Sequence, residues 1–271
     1  MLLQKVNESV KYIESITELK PKIGIILGTG LGEFVDRLEN QVIIPYEDIP
    51  NFPVSTAPGH KGRLVIAESM GKTVFCMQGR FHFYEGYSME EVTYPIRVMQ
   101  KIGIEKIIIT NASGGLDPNF SPGDLMVIDN HINFMGYNPL IGKNQDDFGP
   151  RFVDMSKPYD PELIQIAHKA ANNIGMDLRQ GVYVGYTGPS FETAAEIKLF
   201  HSFGGSAVGM STVPEVIVAN HGGLKVLAIS CITNLGTGIL DIPLSVEEVF
   251  ETATKAGERF RNLLENILSL I

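Results

Sequence analysis

Residues 188 to 214, GPSFETAAEIKLFHSFGGSAVGMSTVP, combine the features around which the rest of the chain is arranged. A carboxylate follows an aromatic ring at Phe191 and Glu192, and a short amphipathic helix is predicted after them. A glycine-flanked strand then leads to Met210 and Ser211. Both ends therefore resemble loops at strand edges, where a ligand can contact backbone amides and small hydroxyl groups at once.

Strands and helices alternate on both sides of this segment. KIGIILG is a continuous apolar run, typical of a strand that is buried on both faces. The first helix is predicted to run to Lys20-Pro21, and further helices follow the capping signals at Ser88, Asp160, Thr193, Thr212 and Ser245. Further strands are predicted at Arg63–Glu68, Thr73–Gln78, Lys106–Asn111, Leu125–Asn130, Gly181–Tyr186 and Leu224–Asn234. This pattern predicts an α/β protein, a three-layer α/β/α sandwich whose central sheet is mixed because residues 63–78 form a hairpin.

The organisation along the chain favours one domain over residues 1–271. No repeat, low-complexity segment or linker rich in Pro, Gly or Ser divides the 271 residues. The loop from about Met135 to Pro158 is long for a compact domain, and such loops more often serve as lids or interface segments.

Composition narrows the class of function. The hydrophobic content of 44% with 20% charged residues is that of an ordinary globular protein. The net charge of -9 argues against a nucleic-acid partner, so an anionic substrate needs a locally positive pocket. No apolar run approaches a membrane span, and the acidic residues of the first helix do not fit a signal peptide. We expect a cytoplasmic protein with no membrane partner.

Cysteine and histidine spacing gives no sign of a metal site. Cys76 and Cys231 lie in apolar runs and are interpreted as core residues. They form neither a CxxC pair nor a disulfide framework, and none of the six histidines has a partner at metal-ligand spacing.

The glycine-rich turn GTGLG, residues 28–32, admits three interpretations. A dinucleotide fingerprint requires glycine where Glu33 stands. A strand-to-helix turn of this kind still presents backbone amides to an anion, and Thr29 adds a hydroxyl group. A plain tight turn is the third alternative.

Two further segments carry groups suited to phosphate. His60 lies between glycines in APGHKGR, although a lone histidine is normally a solvent-exposed residue or one whose hydrogen bonds are satisfied within the protein. In QGRFHFYEGY an extended chain would direct Arg80, His82 and Tyr84 to one face. Arginine suits bidentate binding of phosphate, and histidine adds a further donor. A polar face of an edge strand is the alternative.

Small or polar residues end three predicted strands or precede a helix. Ala112 in TNASGGL offers its N–H to a ligand, although the segment could be only a turn. Ser211 precedes a helix whose first amides favour an anion. Asn234 ends a long buried strand in SCITN, where an amide needs a partner, whether a ligand or a neighbouring loop.

Taken in order, seven motifs resemble those of the trimeric 6-oxopurine nucleoside phosphorylases across nearly the whole chain. They are GTGLG, PGHKGRL, QGRFHFYEGY, TNASGGL, GPSFETAAE, VGMSTVPE and SCITN. The resemblance implies reversible phosphorolysis of inosine, guanosine and their 2′-deoxy forms to the free base and (deoxy)ribose 1-phosphate, in purine salvage. It implies inorganic phosphate as co-substrate, no cofactor or metal, and a homotrimer.

The resemblance also implies a role for each residue at a matching position. The implied phosphate ligands are Thr29, His60, Arg80, His82, Ala112 and Ser211. The implied purine-site residues are Phe191, Glu192, Met210 and Asn234, and the implied ribose-site residues are Tyr84, Met210, Phe152 and Val246. Of these, Asn234, His82 and Glu192 are the implied catalytic residues, and Phe152 would reach the active site of a neighbouring subunit.

Two side chains support a substrate class. An amide at Asn234 can donate to both N7 and a 6-oxo group, whereas an ionised carboxylate only accepts. Glu192 accepts from N1–H, which 6-oxopurines carry and adenine lacks. The pair therefore predicts inosine and guanosine, not adenosine, as substrates.

One position departs from the family pattern. Many relatives place histidine just before the EEV of the last helix, where it binds the 5′-hydroxyl, and this chain has Val246. We expect greater tolerance of 5′-deoxy or 5′-thio nucleosides. A 5′-methylthioadenosine or 5′-methylthioinosine phosphorylase is the nearest alternative. An NAD-dependent dehydrogenase and a catalytically silent nucleoside-binding module are more distant ones.

Overall fold

In the computed structural model, which describes residues 2–57, 59–239 and 245–271, nine strands form one mixed sheet in the order β2-β3-β4-β1-β5-β8-β7-β6-β9. The strands are β1 (Ile23–Leu27), β2 (Glu39–Pro45), β3 (Arg63–Ser69), β4 (Lys72–Gln78), β5 (Lys106–Gly115), β6 (Leu125–Asn133), β7 (Arg179–Gly185), β8 (Ala207–Gly209) and β9 (Lys225–Leu235).

The sheet has an open part and a closed part. Strand β1 lies parallel between β4 and β5, while β2, β3 and β4 are antiparallel, so the predicted hairpin at 63–78 is confirmed. Strand β9 pairs antiparallel with β6 and also parallel with β5. Strands β5, β8, β7, β6 and β9 therefore close into a ring.

Helices cover both faces of the sheet, which confirms the three-layer α/β/α class. They are α1 (Leu2–Ile16), α2 (Met89–Ile102), α3 (Pro161–Asn173), α4 (Ala194–Ser202), α5 (Val213–His221) and α6 (Val246–Leu270). Helices α1, α2 and α5 pack in one hydrophobic cluster, and α3 and α6 pack in another. Along β1, Ile26 belongs to the first cluster, whereas Ile25 and Leu27 belong to the second. This alternation is that of a strand buried on both faces.

Three sequence predictions about secondary structure were wrong. Helix α1 ends at Ile16, before Lys20-Pro21. Strand β2 was missed because it is an edge strand whose side chains are mostly exposed, so it lacks the apolar pattern of a buried strand. Thr212 does not cap α5 through its side chain, and it has a left-handed φ of 71°. Its hydroxyl instead accepts a hydrogen bond from Asn111 Nδ2 at 2.9 Å.

The other capping signals are present. Ser88 and Thr193 form reciprocal capping boxes with Glu91 and Glu196, and the Asp160 carboxylate accepts from two first-turn amides. The predicted long loop is also present, because residues 134–160 contain neither helix nor strand. Within the described ranges, every helix is either too short or too polar to cross a membrane.

Candidate active site

A cavity lies where the carboxyl ends of β1, β4, β5 and β9 meet. Thr29 follows β1, Arg80 follows β4, Ala112 lies in the last half of β5, and Asn234 lies near the end of β9. These four strands are parallel to one another, in the order β4-β1-β5-β9, so their carboxyl ends share one edge. The cavity encloses about 660 Å³ of empty space, including its open mouth.

Ten of the thirteen predicted site residues line this cavity. They are Thr29, Arg80, His82, Tyr84, Ala112, Phe191, Glu192, Met210, Ser211 and Asn234. His60, Phe152 and Val246 do not line it. Seven lining residues were not predicted: Asn111, Ser113, Gly114, Val208, Gly209, Thr233 and Val249. Four of them, Asn111, Ser113, Gly209 and Thr233, are chain neighbours of a predicted residue, so adjacency in the sequence was the signal that could have found them.

Arg80 is the anchor of one end of the cavity. It is 2% exposed, and its Nε donates to Glu215 Oε1 at 2.9 Å. Its Nη1 donates to the Thr110 carbonyl at 2.7 Å and to Ser211 Oγ at 3.1 Å. Its Nη2 is buried and has no hydrogen-bond partner among the described residues. A buried guanidinium nitrogen in such a position is suited to an oxyanion.

Glu215 was not predicted from the sequence. It is 3% exposed and lies in the first turn of α5, 135 residues from Arg80. The ion pair holds the guanidinium plane, while Nη1 donates to the Thr110 carbonyl and to Ser211 Oγ. The sequence does show an acidic residue in the first turn of the helix that follows Ser211. It does not show that the partner of this residue is Arg80.

His60 stands behind the anion end of the cavity. The backbone N–H of Arg80 donates to His60 Nδ1 at 2.9 Å, and His60 Nε2 lies 3.4 Å from Thr29 Oγ1. Burial, together with the neighbouring His82 and Arg80, lowers the pKa of His60 to about 3. The ring is therefore neutral near pH 7, and its proton is on Nε2 because Nδ1 accepts.

His82 and Tyr84 lie close together, but the backbone between them differs from the predicted extended strand. Residues Phe83–Glu85 form a 3₁₀ helix, so strand alternation does not explain their common direction. His82 stacks on Tyr84 with ring centroids 4.7 Å apart. Its Nδ1 lies 2.8 Å from Glu85 Oε1. Although burial raises the pKa of Glu85, hydrogen bonds from His82 and Thr56 lower it to about 2, so Glu85 is ionised.

The GTGLG turn approaches β5 closely. A Cβ at Gly28 would lie 2.7 Å from Asn111 Cα, and the Gly28 N–H already donates to Thr110 Oγ1 at 3.0 Å. The turn leads into a 3₁₀ helix, Gly32–Arg37, and not into the α-helix that a dinucleotide site uses. Of the turn residues, Thr29 lines the cavity.

The other end of the cavity is less basic and more apolar. Phe191 and Glu192 lie there, with Val208 and Met210. Glu192 is 6% exposed, and burial raises the pKa of its carboxyl group. A carboxylate in this setting gains from a ligand that donates hydrogen bonds to it.

Asn234 has a defined amide orientation. Thr233 Oγ1 donates to Asn234 Oδ1 at 2.9 Å, and Asn234 Nδ2 donates to the Leu235 carbonyl at 3.1 Å. Because the oxygen already accepts from Thr233, the amide is oriented as a donor toward the cavity through its second N–H. Thr233 was not predicted as a site residue, but it orients the side chain of Asn234, which was predicted.

The remaining predicted residues lie elsewhere. Phe152 is 88% exposed, within the long loop between β6 and α3, beside a separate groove that includes His131 and Ile217. Val246 begins α6 and is half exposed, while Val249, one turn later, lines the cavity. Within the described ranges, no three His, Cys, Asp or Glu side chains converge as metal ligands.

Comparison with known proteins agrees with this geometry. Residues 22–269 match the family model described as "Phosphorylase superfamily". The chain is 53% identical over 265 residues to "Purine nucleoside phosphorylase 1" of Bacillus subtilis (strain 168), covering 98% of each chain. A structure of Schistosoma mansoni purine nucleoside phosphorylase with inosine has a TM-score of 0.95 at 38% identity, covering 99% and 97% of the two chains. One with adenosine has a TM-score of 0.94 at 39% identity, covering 98% and 97%.

The fold and the site thus define an enzyme of the phosphorylase superfamily, matched over all but the first 21 and last two residues of the chain. Within that superfamily, the chain belongs to the purine nucleoside phosphorylases.

Proposed function

We propose that this enzyme catalyses the reversible phosphorolysis of inosine, guanosine and their 2′-deoxy forms, yielding the purine base and (deoxy)ribose 1-phosphate. One observation carries the proposal: a single cavity brings Arg80 and Ser211, whose groups suit an anion, together with Glu192 and Asn234, whose groups suit a purine base. A nucleoside placed between them would present its C1′ to phosphate and its base to the two polar side chains.

The anion subsite supports phosphate as the nucleophile. Arg80 is held by Glu215, and its Nη2, which has no hydrogen-bond partner in the part of the chain that the structure describes, would be available to a phosphate oxygen. Thr29, His82, Ser211 and the Ala112 N–H surround the same space, and the neutral His60 adds an Nε2–H donor beside Thr29. Bound phosphate would stabilise the positive charge that develops on the sugar as the glycosidic bond breaks.

The purine subsite supports stabilisation of the leaving group. Negative charge accumulates on the base, at N7 and at the 6-oxo group, as it departs. The free N–H of Asn234 would donate there, while Glu192 would accept from N1–H and from the 2-amino group of guanine. Phe191 and Met210 would pack against base and sugar, and Tyr84 against the sugar.

The test of this function is base release with and without inorganic phosphate. We expect phosphate-dependent release of hypoxanthine from inosine, with adenosine slower by about a hundredfold or more, because adenine lacks the N1–H that Glu192 accepts. Because the Schistosoma mansoni enzyme has a structure in complex with adenosine, binding of adenosine would not separate the substrates. The deciding measurement is therefore turnover. Cleavage of adenosine at a comparable rate would refute the base assignment. Release without phosphate would indicate a hydrolase.

We also propose an oligomeric state and a cellular role for the enzyme. We propose a homotrimer in which Phe152 contributes to the sugar pocket of a neighbouring subunit, because an aromatic ring 88% exposed in this loop has no role in its own cavity. We also propose that the enzyme acts in cytoplasmic purine salvage and uses no cofactor or metal beyond phosphate as co-substrate.

A second candidate is a 5′-methylthionucleoside phosphorylase, favoured by the apolar residues at the start of α6. Val246 lies beside the cavity-lining Val249, where a polar contact to a 5′-hydroxyl would otherwise come. We expect kcat/KM for 5′-deoxyinosine to be within about tenfold of that for inosine. A site that makes no hydrogen bond to the 5′-hydroxyl loses little when the substrate lacks that group. A loss of about a hundredfold or more would show that the 5′-hydroxyl is recognised. Val246→His is the matched variant, and it should restore a preference for inosine.

A further inference from the structure

A second polar cavity lies on the face covered by α1, α2 and α5, away from the candidate active site. It is formed by the start of α1, one side of α2, the loop around residues 139–145 and the last residue of α5. It encloses about 460 Å³ of empty space, including its mouth. Arg97, Lys143, Gln145 and His221 are among the residues that line it.

Arg97 is a buried cation without a carboxylate partner. It is 5% exposed, and none of the ion pairs formed within residues 2–57, 59–239 and 245–271 involves it. Its guanidinium lies 5.0 Å from the centroid of the Phe148 ring. Lys101 also lies over this ring, at 4.9 Å, so a second positive charge is close. Burying a charge without an ionic partner is costly.

The hydrogen-bond partner of Arg97 is neutral. Arg97 Nη1 lies 2.8 Å from His221 Nδ1, and His221 Nε2 lies 3.3 Å from Asn144 Oδ1. Burial and the adjacent Arg97 lower the pKa of His221 to about 4, so the ring accepts from Arg97 and carries no charge at pH 7. His221 thus accepts a hydrogen bond from one N–H of the guanidinium but does not neutralise its positive charge.

The charged groups of the lining leave an excess of positive charge. Among the described residues of the lining, Arg97 and Lys143 are cations and Glu90 is the one acidic residue. Glu90 is exposed, so solvent screens its charge. Burial lowers the pKa of Arg97 to about 10, and the charge of Glu90 does not offset this effect. Gln145, on the loop that closes the cavity, is neutral.

We propose that this cavity binds one small oxyanion of the size of inorganic phosphate, with Arg97 as the central ligand and Lys143 at the mouth. Arginine and lysine around a polar cavity are the groups that bind such ions in proteins. The site is separate from the catalytic one: His221 ends α5, whereas Ser211 and Glu215 lie at the start of that helix. The competing occupant is a carboxylate of a second copy of the chain, because Leu140 and Ile141 also line the groove that contains Phe152.

Equilibrium dialysis with radiolabelled phosphate tests the proposal on the intact enzyme. We expect two phosphate sites per chain in the wild type. In Gln145→Glu, which adds a carboxylate to the cavity, we expect the second site to weaken by at least about tenfold while kcat stays unchanged. Lys143→Met should weaken the same site to a smaller extent. Asn172→Asp carries the same charge change as Gln145→Glu, on an exposed position of α3 on the other face of the sheet, and should retain both sites.

Three results would overturn the proposal. The first is a single phosphate site per chain in the wild type. The second is an unchanged second site in Gln145→Glu. The third is a crystal structure of the assembled enzyme, grown in phosphate, in which a carboxylate of a second copy pairs with Arg97.

Discussion

We expect replacement of Asn234 by alanine to lower kcat for inosine by roughly 10²–10³, because the substitution would remove one preorganised donor to the developing negative charge. This corresponds to about 3 kcal/mol of transition-state stabilisation. Thr233 donates to the Asn234 oxygen and the Leu235 carbonyl accepts from one N–H, which leaves the second N–H of the amide available. The donor is therefore in position before the bond breaks, and its loss should reduce kcat more than it raises KM.

Single-turnover kinetics of phosphorolysis would measure this effect directly. Asn262→Ala, on an exposed position of α6, is the matched control and should be neutral. Thr233→Val is the second variant, because it keeps the amide and removes the hydroxyl that orients it. It should lose part of the same activity. A kcat for Asn234→Ala within about threefold of wild type would exclude the leaving-group role.

Replacing Glu215 by alanine lowers the free energy of unfolding by about 3–5 kcal/mol, because it leaves the guanidinium of Arg80 buried without its counter-charge. Both side chains are nearly inaccessible, with exposures of 2% for Arg80 and 4% for Glu215. Denaturant titration without phosphate measures the loss. Saturating phosphate should recover part of this loss if, as proposed, the anion binds the same guanidinium, because it would do so in the folded state only.

Glu162→Ala is the matched control for this prediction. Glu162, like Glu215, directly follows a proline in the first turn of a helix, but its ion pair with Lys225 is on the surface. Its loss should cost less than about 1 kcal/mol. If both substitutions lower the free energy of unfolding equally, burial of the Arg80–Glu215 pair does not increase its contribution to stability. Glu215→Gln would separate charge from shape, and it should raise KM for phosphate even where the protein remains folded.

The residues around Arg80 illustrate how much of the candidate site the sequence could predict. Arg80, His82 and Tyr84 were predicted to converge, and they do line one cavity. The expected reason was the alternation of an extended strand, whereas the chain turns through a 3₁₀ helix at Phe83–Glu85. Residue types and their order were sufficient to predict the group. The local backbone path was not readable, because short 3₁₀ turns leave no periodic pattern.

Partners that come from distant segments were the main omission. Glu215 pairs with Arg80 across 135 positions, and His221 contacts Arg97 across 124. Neither pair is visible in a local window of sequence, since each depends on which helix packs beside which strand end. Thr212 shows the same limit, because its spacing to Glu215 resembled a capping box while its hydroxyl is engaged by Asn111.

The sequence by itself determined the class of the fold, most of the residues of the cavity and the family, because apolar periodicity and ordered motifs are local properties of the chain. The tertiary structure decided the closure of the sheet through β9, the burial of Arg80 against Glu215 and the separate cavity at Arg97. It also decided that Phe152 lies away from its own cavity. These features depend on contacts between segments far apart in sequence, which form only when the order of strands brings those segments together.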